Sequence, residues 1–413
     1  MTATLFGTAP RTYEGTHPWI SFDARLDFPK QVWLLLGEAH SKCGHVARVP
    51  LRPDIARKIH IIYLTKGIHG TASIEGNTLT EGEVLDVIEK GQAPVGKSRD
   101  YQEQEIKNIL KACNDILGCI HAGEIPDLTV ERMKWFNACV LEGLEVEEGV
   151  VPGELRTKSV GVRRYRAAPA EDCEYLLERL CEWINGPDFQ GDDEFSFVRV
   201  IAQAVLAHLY IAWIHPFGDG NGRTARLVEF QLLVGAGLPA PVAHLLSDHY
   251  NLTRDRYYQI LDRTSTVTPY TITEFFEYAL RGFVDGLRAQ VKDIWNYQLA
   301  VAWENHVHTC FHDQDTPAPR RQKHIALDLP PGEWVKRADL KHISARVAEA
   351  YAGKGSKAIT RDLNRLTALD LIQRSRQGVR ANREVVLGFL PPRHEDGPLS
   401  LETELPSSPI GRL

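Results

Sequence analysis

The sequence predicts a mainly α-helical protein that ends in a small domain of helices and strands. Apolar residues recur at helical spacing through most of the chain between residues 31 and 312. Before residue 330, only the stretch 159–166 combines short alternation with β-forming residues, as a β-hairpin does. Between residues 331 and 390, helical runs over 335–351 and 356–369 precede strand-like runs over 371–376 and 383–387. We therefore expect a helical core with one small hairpin, followed by a separate domain.

The composition is that of an ordinary globular protein. The 413 residues are 43% hydrophobic and 25% charged, which is enough for two or three domains. The sequence contains no long uninterrupted apolar run, so we expect no membrane span. The first ten residues lack the features of a signal peptide, and seven cysteines without CxxC spacing favour reduced thiols in the cytoplasm. The net charge of −6 argues against a surface devoted to nucleic acid but allows local basic patches.

Residues 1–110 are the predicted N-terminal helical region. The first 30 residues are expected to form an extended arm, and helical spacing follows over 31–69. The stretch that begins at Thr71 is predicted to be the last turn of a helix and carries one carboxylate, Glu75. Gly76 and Asn77 follow it, and both tolerate the left-handed conformation of a helix C-cap.

The segment 91–98 matches the P-loop pattern GxxxxGK(S/T), but its context argues against a P-loop. Thr80 and Glu83 form a capping box that opens a helix directly before this segment. A P-loop instead follows a buried strand. We therefore predict no nucleotide site there.

Residues 111–290 are the predicted catalytic core, with helices over 99–120, 128–145, 174–184 and 195–214. The last of these is apolar on nearly all sides, which predicts a central, buried helix. His208 lies within it and is expected to be a hydrogen-bonded core histidine rather than a base.

The stretch 208–226 contains the residue types of a phosphate site. Gly220, Asn221 and Gly222 adopt positive φ at low cost, and a helix is predicted to begin directly after them. Free N–H groups at a helix N-terminus favour a polyanion, and Arg223 and Arg226 lie on neighbouring turns of one face.

Two further residues of this stretch suggest group-transfer chemistry. Asp219 beside the turn suits Mg²⁺, which is typically held by one or two carboxylates and phosphate oxygens. His215 precedes the loop and has the residue type that accepts a proton from an attacking hydroxyl near neutral pH.

These residues resemble the signature HxFx(D/E)GNGRxxR of the Fic (Fic/Doc) family, which the sequence matches from His215 to Arg226 without a gap. The resemblance implies a Fic-type helical core that moves AMP from ATP to a Ser, Thr or Tyr hydroxyl of a target protein. It implies that His215 is the base, that Asp219 holds Mg²⁺ and that Phe217 anchors the loop. The implied nucleotide-binding residues are Gly220, Asn221, Gly222, Arg223, Thr224, Arg226, Tyr250, Asn251 and Tyr257.

Two other segments resemble regulatory and docking parts of this family. Thr71, Glu75 and Gly76 match the inhibitory motif (S/T)xxxE(G/N), which implies that Glu75 pairs with Arg226 and blocks the γ-phosphate. A flap at the position of the hairpin binds target segments by strand addition in the family. The implied flap residues are Val160, Gly161, Val162, Arg163, Arg164 and Tyr165.

The C-terminal part is predicted in three pieces. Residues 291–330 are a connecting helix and a Pro-rich linker, and residues 392–413 are a disordered tail. Between them, residues 331–391 resemble a winged-helix module. A zinc site at His306, His308, Cys310 and His312 is not favoured, since these residues fall on two helix faces. The module can contact DNA or protein through basic residues Lys354, Lys357, Arg361, Arg365, Arg374, Arg376, Arg380 and Arg383.

The leading hypothesis is therefore a cytoplasmic, Mg²⁺-dependent protein adenylyltransferase that Glu75 restrains. Its target protein is unknown, and self-modification, a homodimer and DNA binding are compatible with the sequence. The alternatives are removal of AMP or another nucleotidyl or phosphoryl transfer at the same site. A nucleotide-sensing DNA-binding regulator is the alternative from another class.

Overall fold

The structure is a computed structural model that describes residues 11–23, 28–94, 96–124, 127–162, 165–191 and 193–387. The chain divides into two compact units, Met1–Val291 and Lys292–Leu413. The predicted tail, 392–413, and the flap residues Arg163 and Arg164 lie outside the described residues. The described residues are mainly helical, as the sequence predicts.

Helices and one two-stranded antiparallel sheet build the first unit, and the long helix α13 contributes residues to both units. The elements are α1 (Thr12–Thr16), α2 (Lys30–Arg48), α3 (Pro53–Ile74), α4 (Glu81–Lys90), α5 (Asp100–His121), α6 (Val130–Val140), β1 (Gly161–Val162), β2 (Tyr165–Arg166), α7 (Cys173–Ile184), α8 (Ser196–Ile214), α9 (Asn221–Gly235), α10 (Ala240–Ala243), α11 (Leu245–Leu252), α12 (Arg254–Thr266) and α13 (Thr273–Cys310).

Helix α8 is the buried centre of the first unit, and α9 packs along it. By length and composition α8 is apolar enough to cross a membrane, but 78% of its apolar window is buried inside the protein. His208 on α8 is fully buried, and its Nε2 lies 2.8 Å from the hydroxyl oxygen of Tyr257. This is the hydrogen-bonded core histidine that the sequence predicts.

Helix α3 ends in a glycine cap. Gly76 has φ 104°, the N–H of Gly76 donates to the Ser73 carbonyl, and the N–H of Asn77 donates to the Ala72 carbonyl. Gly76 adopts the left-handed conformation of the cap, and Asn77 does not. The side chain of Asn77 instead turns inward, where its Nδ2 donates to Glu105 Oε2 at 2.8 Å.

Two N-terminal predictions are refined by the structure. The helical stretch 31–69 is divided into α2 and α3, because prolines at positions 50 and 53 interrupt it and Pro53 opens the second helix. The capping box of Thr80 and Glu83 opens α4, so the segment 91–98 follows a helix and lacks the context of a P-loop.

The second unit has its own apolar core, which includes Trp303, Val307, Ile325, Leu363 and Leu366. Its elements after α13 are α14 (Pro317–Asp328), α15 (Ala345–Ala350), α16 (Ser356–Ala368), β3 (Ile372–Ser375) and β4 (Gly378–Ala381). The strands β3 and β4 pair antiparallel, and a bridge between Val335 and Val379 extends this sheet.

Three predictions for this unit are wrong. The expected linker over 313–330 contains α14, because Ile325 and Ala326 are buried in the core. The expected helix over 335–351 contains only a 3-10 turn, Asp339–His342, and the short α15.

The second wing strand was also expected around 383–387, but it is Gly378–Ala381. Gly378 has φ 140°, and a Cβ there would lie 2.2 Å from the Val335 carbonyl oxygen. Glycine at position 378 therefore allows the chain to pair closely with Val335. Residues 383–386, where the strand was expected, form a 3-10 turn.

Candidate active site at the N-terminus of helix α9

His215 ends α8 with φ 50° and ψ 59°, a left-handed conformation that is uncommon for a residue with a side chain. Its N–H donates to the Ile211 carbonyl at 2.8 Å. Burial lowers the pKa of His215 to about 4, although the nearby Glu75 carboxylate acts to raise it. The imidazole is therefore neutral at pH 7 and able to accept a proton.

Arg156 holds the backbone around His215. Its Nε donates to the His215 carbonyl at 2.7 Å, and its Nη2 donates to the carbonyls of Ala168 at 2.5 Å and Ile214 at 3.3 Å. The N–H of Arg156 also donates to the Pro216 carbonyl at 3.0 Å. Since Arg156 is only 7% exposed, these bonds replace water as partners of the turn.

Buried side chains stabilise the loop that follows His215. Phe217 is 1% exposed, as expected for an anchor. Both polar atoms of the Asn221 side chain bond to the Phe217 backbone at 2.9 Å. Gly220, with φ 75°, is the N-cap of α9. The Asn221 side chain thus supports the loop rather than facing a ligand, while the first N–H groups of α9 have no intrahelical acceptor and can bind an anion.

Arg223 is held between two carboxylates. Its Nη1 donates to Glu105 Oε1 at 2.6 Å, and its Nη2 donates to Asp219 Oδ1 at 3.1 Å. Burial raises the pKa of Glu105, and Asn77 donates to its other oxygen. Arg223 is therefore fixed before any ligand arrives. Thr224, predicted to bind nucleotide, is fully buried and does not line the cavity described below.

Arg226 contacts the end of α3. Its Nη2 donates to Glu75 Oε1 at 2.6 Å and to the Thr71 carbonyl at 2.9 Å. The Arg226 side chain is 1% exposed, and its Nε and Nη1 have no hydrogen-bond partner among the described residues. Burial acts to raise the pKa of Glu75, but Arg226 outweighs it and the pKa is lowered, so Glu75 is an anion at neutral pH.

Glu75, His215 and Arg226 line one cavity of about 340 Å³, a volume within the range of small-molecule sites. Its wall away from α3 comes mainly from α12 and the end of α8, with side chains of Trp213, Tyr257, Tyr258, Leu261 and Asp262. A pocket that combines an aromatic wall with an arginine suits a nucleotide.

Of the three predicted adenine-side residues, only Tyr257 lines the cavity. Tyr250 is fully buried, and its hydroxyl donates to Glu229 at 2.9 Å, so its assignment to the pocket is wrong. Asn251 follows on the same helix and also does not line the cavity. The helix after α11, not α11 itself, supplies this wall.

The predicted flap is a sheet of two residues per strand, in which Val162 pairs with Tyr165 and Gly161 with Arg166. Tyr165 connects it to the site, because it lines the cavity and its hydroxyl donates to the Trp213 carbonyl at 2.7 Å. Val160 lies just before β1, and its carbonyl accepts from the N–H of Ala167. Gly161 is exposed beside it.

Asp219 is the carboxylate with the position of a cation ligand. Its side chain is 47% exposed at the edge of the loop, and its Oδ1 accepts from Gly220 and Arg223. No cluster of three or more metal-ligating side chains occurs among the described residues. A single carboxylate of this kind fits Mg²⁺, which keeps several waters and takes its other ligands from substrate phosphates.

Local sequence patterns did not indicate Glu105, Arg156 or Tyr258 as residues of the site. Glu105 and Arg156 bind the loop from helices and turns more than 50 residues away along the chain, as the separations in their hydrogen bonds show. A buried ionisable residue in an amphipathic helix is a signal that could have directed attention to Glu105. Tyr258 is adjacent to the nominated Tyr257, and only the helix rotation decides that both line the cavity.

The first unit is mainly helical and brings together a helix N-terminus, a neutral histidine and two fixed arginines, a combination that suits a phosphate-bearing ligand. Residues 127–233 match the model of the Fic/DOC family. These residues therefore form a Fic domain.

Relatives in other organisms match about half of this chain. The protein adenylyltransferase fic-1 of Caenorhabditis briggsae is 29% identical over 203 residues, which are 49% of this chain and 37% of the relative. The protein adenylyltransferase Fic of Drosophila virilis is 30% identical over 209 residues, 47% of this chain and 36% of the relative. The chain spans less than half the length of these curated relatives.

Solved structures show the same fold. A Fic family protein from Desulfovibrio desulfuricans superposes with a TM-score of 0.53 at 20% identity, over 86% of this chain and 94% of that one. Fic-1 of Caenorhabditis elegans superposes with a TM-score of 0.50 at 22% identity, over 64% of this chain and 73% of that one.

Proposed function

We propose that this protein is a protein adenylyltransferase that transfers AMP from ATP to a Ser, Thr or Tyr hydroxyl of a target protein. The observation that carries the proposal is Arg226, a buried guanidinium with unpartnered N–H groups among the described residues, in the same cavity as neutral His215. The names of the relatives, protein adenylyltransferases, support the same reaction.

In this reaction His215 removes the proton from the target hydroxyl, and the hydroxyl oxygen forms a bond to the α-phosphorus of ATP. The bond from the α-phosphorus to the bridging oxygen breaks, and pyrophosphate leaves. Positioning and charge neutralisation are what such a transfer needs from the protein. The N-terminus of α9 and Arg223 would hold the inner phosphates, and Arg226 the terminal one.

Mg²⁺ would be held by Asp219 and by the phosphates. When bound, the ion neutralises phosphate charge as the pyrophosphate departs. Arg223 fixes the orientation of the Asp219 carboxylate through Oδ1.

Glu75 restrains the enzyme in this proposal. Its carboxylate accepts a hydrogen bond from Nη2 of Arg226. The carboxylate also lies close to the start of α9, because a Cβ added at Gly222 would be 2.1 Å from Glu75 Oε1. The γ-phosphate and Glu75 therefore compete for one guanidinium, and a bidentate phosphate contact requires that Glu75 leave. Thr71 contributes its carbonyl to the resting arrangement.

The flap from Val160 to Tyr165 is the proposed docking edge for the target segment, by strand addition. The pairing of β1 with β2 leaves one side of the hairpin for another strand, and Tyr165 connects that hairpin to the cavity wall. The hydroxyl of the docked segment would then face His215.

Labelled ATP separates the proposed reaction from its alternatives. Wild type, Glu75→Gly, Glu75→Asp, His215→Ala and the double variant Glu75→Gly/His215→Ala are incubated with cell lysate and with ATP labelled at either the α- or the γ-phosphate. We expect α-label on protein with Glu75→Gly, at least tenfold more than with wild type, and none with the double variant Glu75→Gly/His215→Ala. Glu75→Asp is the matched control, since it keeps a carboxylate at this position.

Label from the γ-phosphate alone would identify a phosphoryl transferase and refute the proposal. Release of AMP from a modified protein, without net addition, would identify the reverse reaction. ATP binding without any transfer would favour the nucleotide-sensing regulator.

A further inference from the structure

The second unit carries a concentration of cations that its own carboxylates do not neutralise. These residues are exposed, and they lie on α16, in the turn before it, on β3 and its turn to β4, and just after Val335. We name them the basic face: Lys336, Arg337, Lys354, Lys357, Arg361, Arg365, Arg374 and Arg376. The ion pairs of this unit use other cations, Arg320, Arg321, Arg346 and Arg380, so among the described residues the basic face has no ion-pair partner.

Helix α16 is the regular part of this face. One side of it, with Ile359, Leu363 and Leu366, is buried in the core. The other side presents Lys357 and Arg361, which are one helical turn apart. The one acidic residue of α16, Asp362, is 2% exposed and is bonded to Tyr351, Gln322 and Arg321, so it does not offset these charges.

Two arginines extend the face from the helix to the sheet. Nη2 of Arg337 donates to Thr360 on α16 at 2.5 Å, and Nη1 of Arg374 on β3 donates to Asn364 on α16 at 2.9 Å. Burial, followed by the charge of Arg337, lowers the pKa of Arg374. Two like charges are thus fixed close together around a shallow cavity of about 290 Å³, an arrangement that an anion stabilises.

The structure removes two candidates that the sequence nominates. Arg380 pairs with Glu384 at 3.0 Å, and its guanidinium lies over the ring of Trp334. Arg383 is partly buried, and burial lowers its pKa. Lys336 and Arg337 belong to the basic face in place of Arg380 and Arg383, although the sequence did not indicate them.

We propose that the basic face binds double-stranded DNA through its phosphate backbone, with α16 in the major groove. A protein partner would need an apolar or aromatic anchor, yet among the described residues of this unit only Val385 is a large exposed hydrophobic residue. A single strand would need exposed aromatic side chains for stacking, and the same observation argues against it. A helix fits the major groove of B-DNA, whereas the deep groove of RNA duplexes excludes it.

The test is fluorescence anisotropy of the full-length protein with a labelled DNA duplex of mixed sequence, at salt concentrations from roughly 50 to 200 mM. We expect affinity to fall steeply with salt. The double variant Lys357→Ala/Arg361→Ala should weaken binding about tenfold at the lowest salt and reduce the slope of log affinity against log salt by about 2. Because both side chains are exposed and alanine favours helix, circular dichroism should show an intact fold.

The charge-matched control is Arg281→Ala/Arg320→Ala, which removes two arginines that already pair with Glu277 and Asp315. It should bind the duplex like wild type. An equal loss in the control, salt-independent binding, or no duplex binding at the lowest salt would overturn the proposal. Tighter binding of poly-glutamate or of a single strand than of the duplex would also overturn it. The proposal stands apart from AMP transfer, because duplex binding by His215→Ala should equal that of wild type.

Discussion

At the scale of single residues, Arg156 is a positioning residue for the proposed base. Its hydrogen bonds fix the backbone on both sides of His215 without touching the cavity. In a Glu75→Gly background, we expect Arg156→Gln to lower kcat about a hundredfold through misplacement of the base. KM for ATP should change little, because the phosphate-binding groups lie on α9.

Steady-state kinetics, with a purified target or by self-modification, measures kcat and KM for ATP separately. Arg156→Lys should recover part of kcat. Arg132→Gln is the control for a general loss of stability, since it removes a different arginine hydrogen bond, from Arg132 Nε to Gln231 Oε1 at 2.9 Å. A parallel rise in KM for Arg156→Gln, or a kcat loss that Arg132→Gln reproduces, would contradict a positioning role.

The pKa of His215 gives a second prediction at this scale. Burial disfavours the imidazolium, so the pKa is about 4, and the Glu75 carboxylate is among the groups that raise it. In NMR titrations we therefore expect the His215 ring signal, assigned by its loss in His215→Ala, to stay that of neutral imidazole from pH 8 to pH 6. Glu75→Gln should lower the pKa further. A midpoint near the ordinary value of 6.5, or an upward shift in Glu75→Gln, would contradict this account.

At the scale of elements, α3 is placed by two glycines that allow close packing on the helices after α9. A Cβ at Gly67 would lie 2.4 Å from His244 Nδ1, and one at Gly70 would lie 2.6 Å from the Ser247 carbonyl oxygen. The position of Glu75 at the end of this helix depends on that approach.

Gly70→Ala should therefore push α3 away, lower the melting temperature and raise AMP transfer toward that of Glu75→Gly. Gly37→Ala on α2 is the matched control, because nothing lies within 4 Å of its added Cβ. It should stabilise the protein by about 0.5–1 kcal/mol and leave transfer unchanged. Thermal unfolding and labelled-ATP assays measure both, and equal effects of the two substitutions would refute the packing argument.

At the scale of the whole molecule, each unit has a core of its own. Leu366→Ala removes buried apolar volume from the second core and should cost about 2–5 kcal/mol there. Hydrogen exchange followed by mass spectrometry should show faster exchange in α14 and α16 and unchanged exchange in α8 and α9. Leu209→Ala in α8 should instead speed exchange in α8 and α9 and leave exchange in α14 and α16 unchanged. If either substitution accelerates exchange equally in both units, the two cores unfold together.

The sequence by itself determined the parts of this protein whose chemistry is local. The motif from His215 to Arg226 lies on one turn and one helix start, so spacing alone brings its groups together. The same holds for the capping box of α4 and for the apolar character of α8. Most helices of the first unit followed from these patterns, but two features did not: the break at Pro50 and Pro53, and α1, which lies in the stretch that was expected to be an extended arm.

Only the tertiary structure decided which distant groups meet the motif. The Arg226–Glu75 contact joins residues 151 positions apart, and the Arg223–Glu105 contact joins residues 118 positions apart. Tyr250 and Tyr257 look alike in sequence and both are buried, but packing places only Tyr257 on the cavity wall. In the second unit, the approach of Val335 to Gly378 decided which residues became the wing. Side-chain burial and non-local hydrogen bonds are properties of the packed chain, and local residue patterns do not encode them.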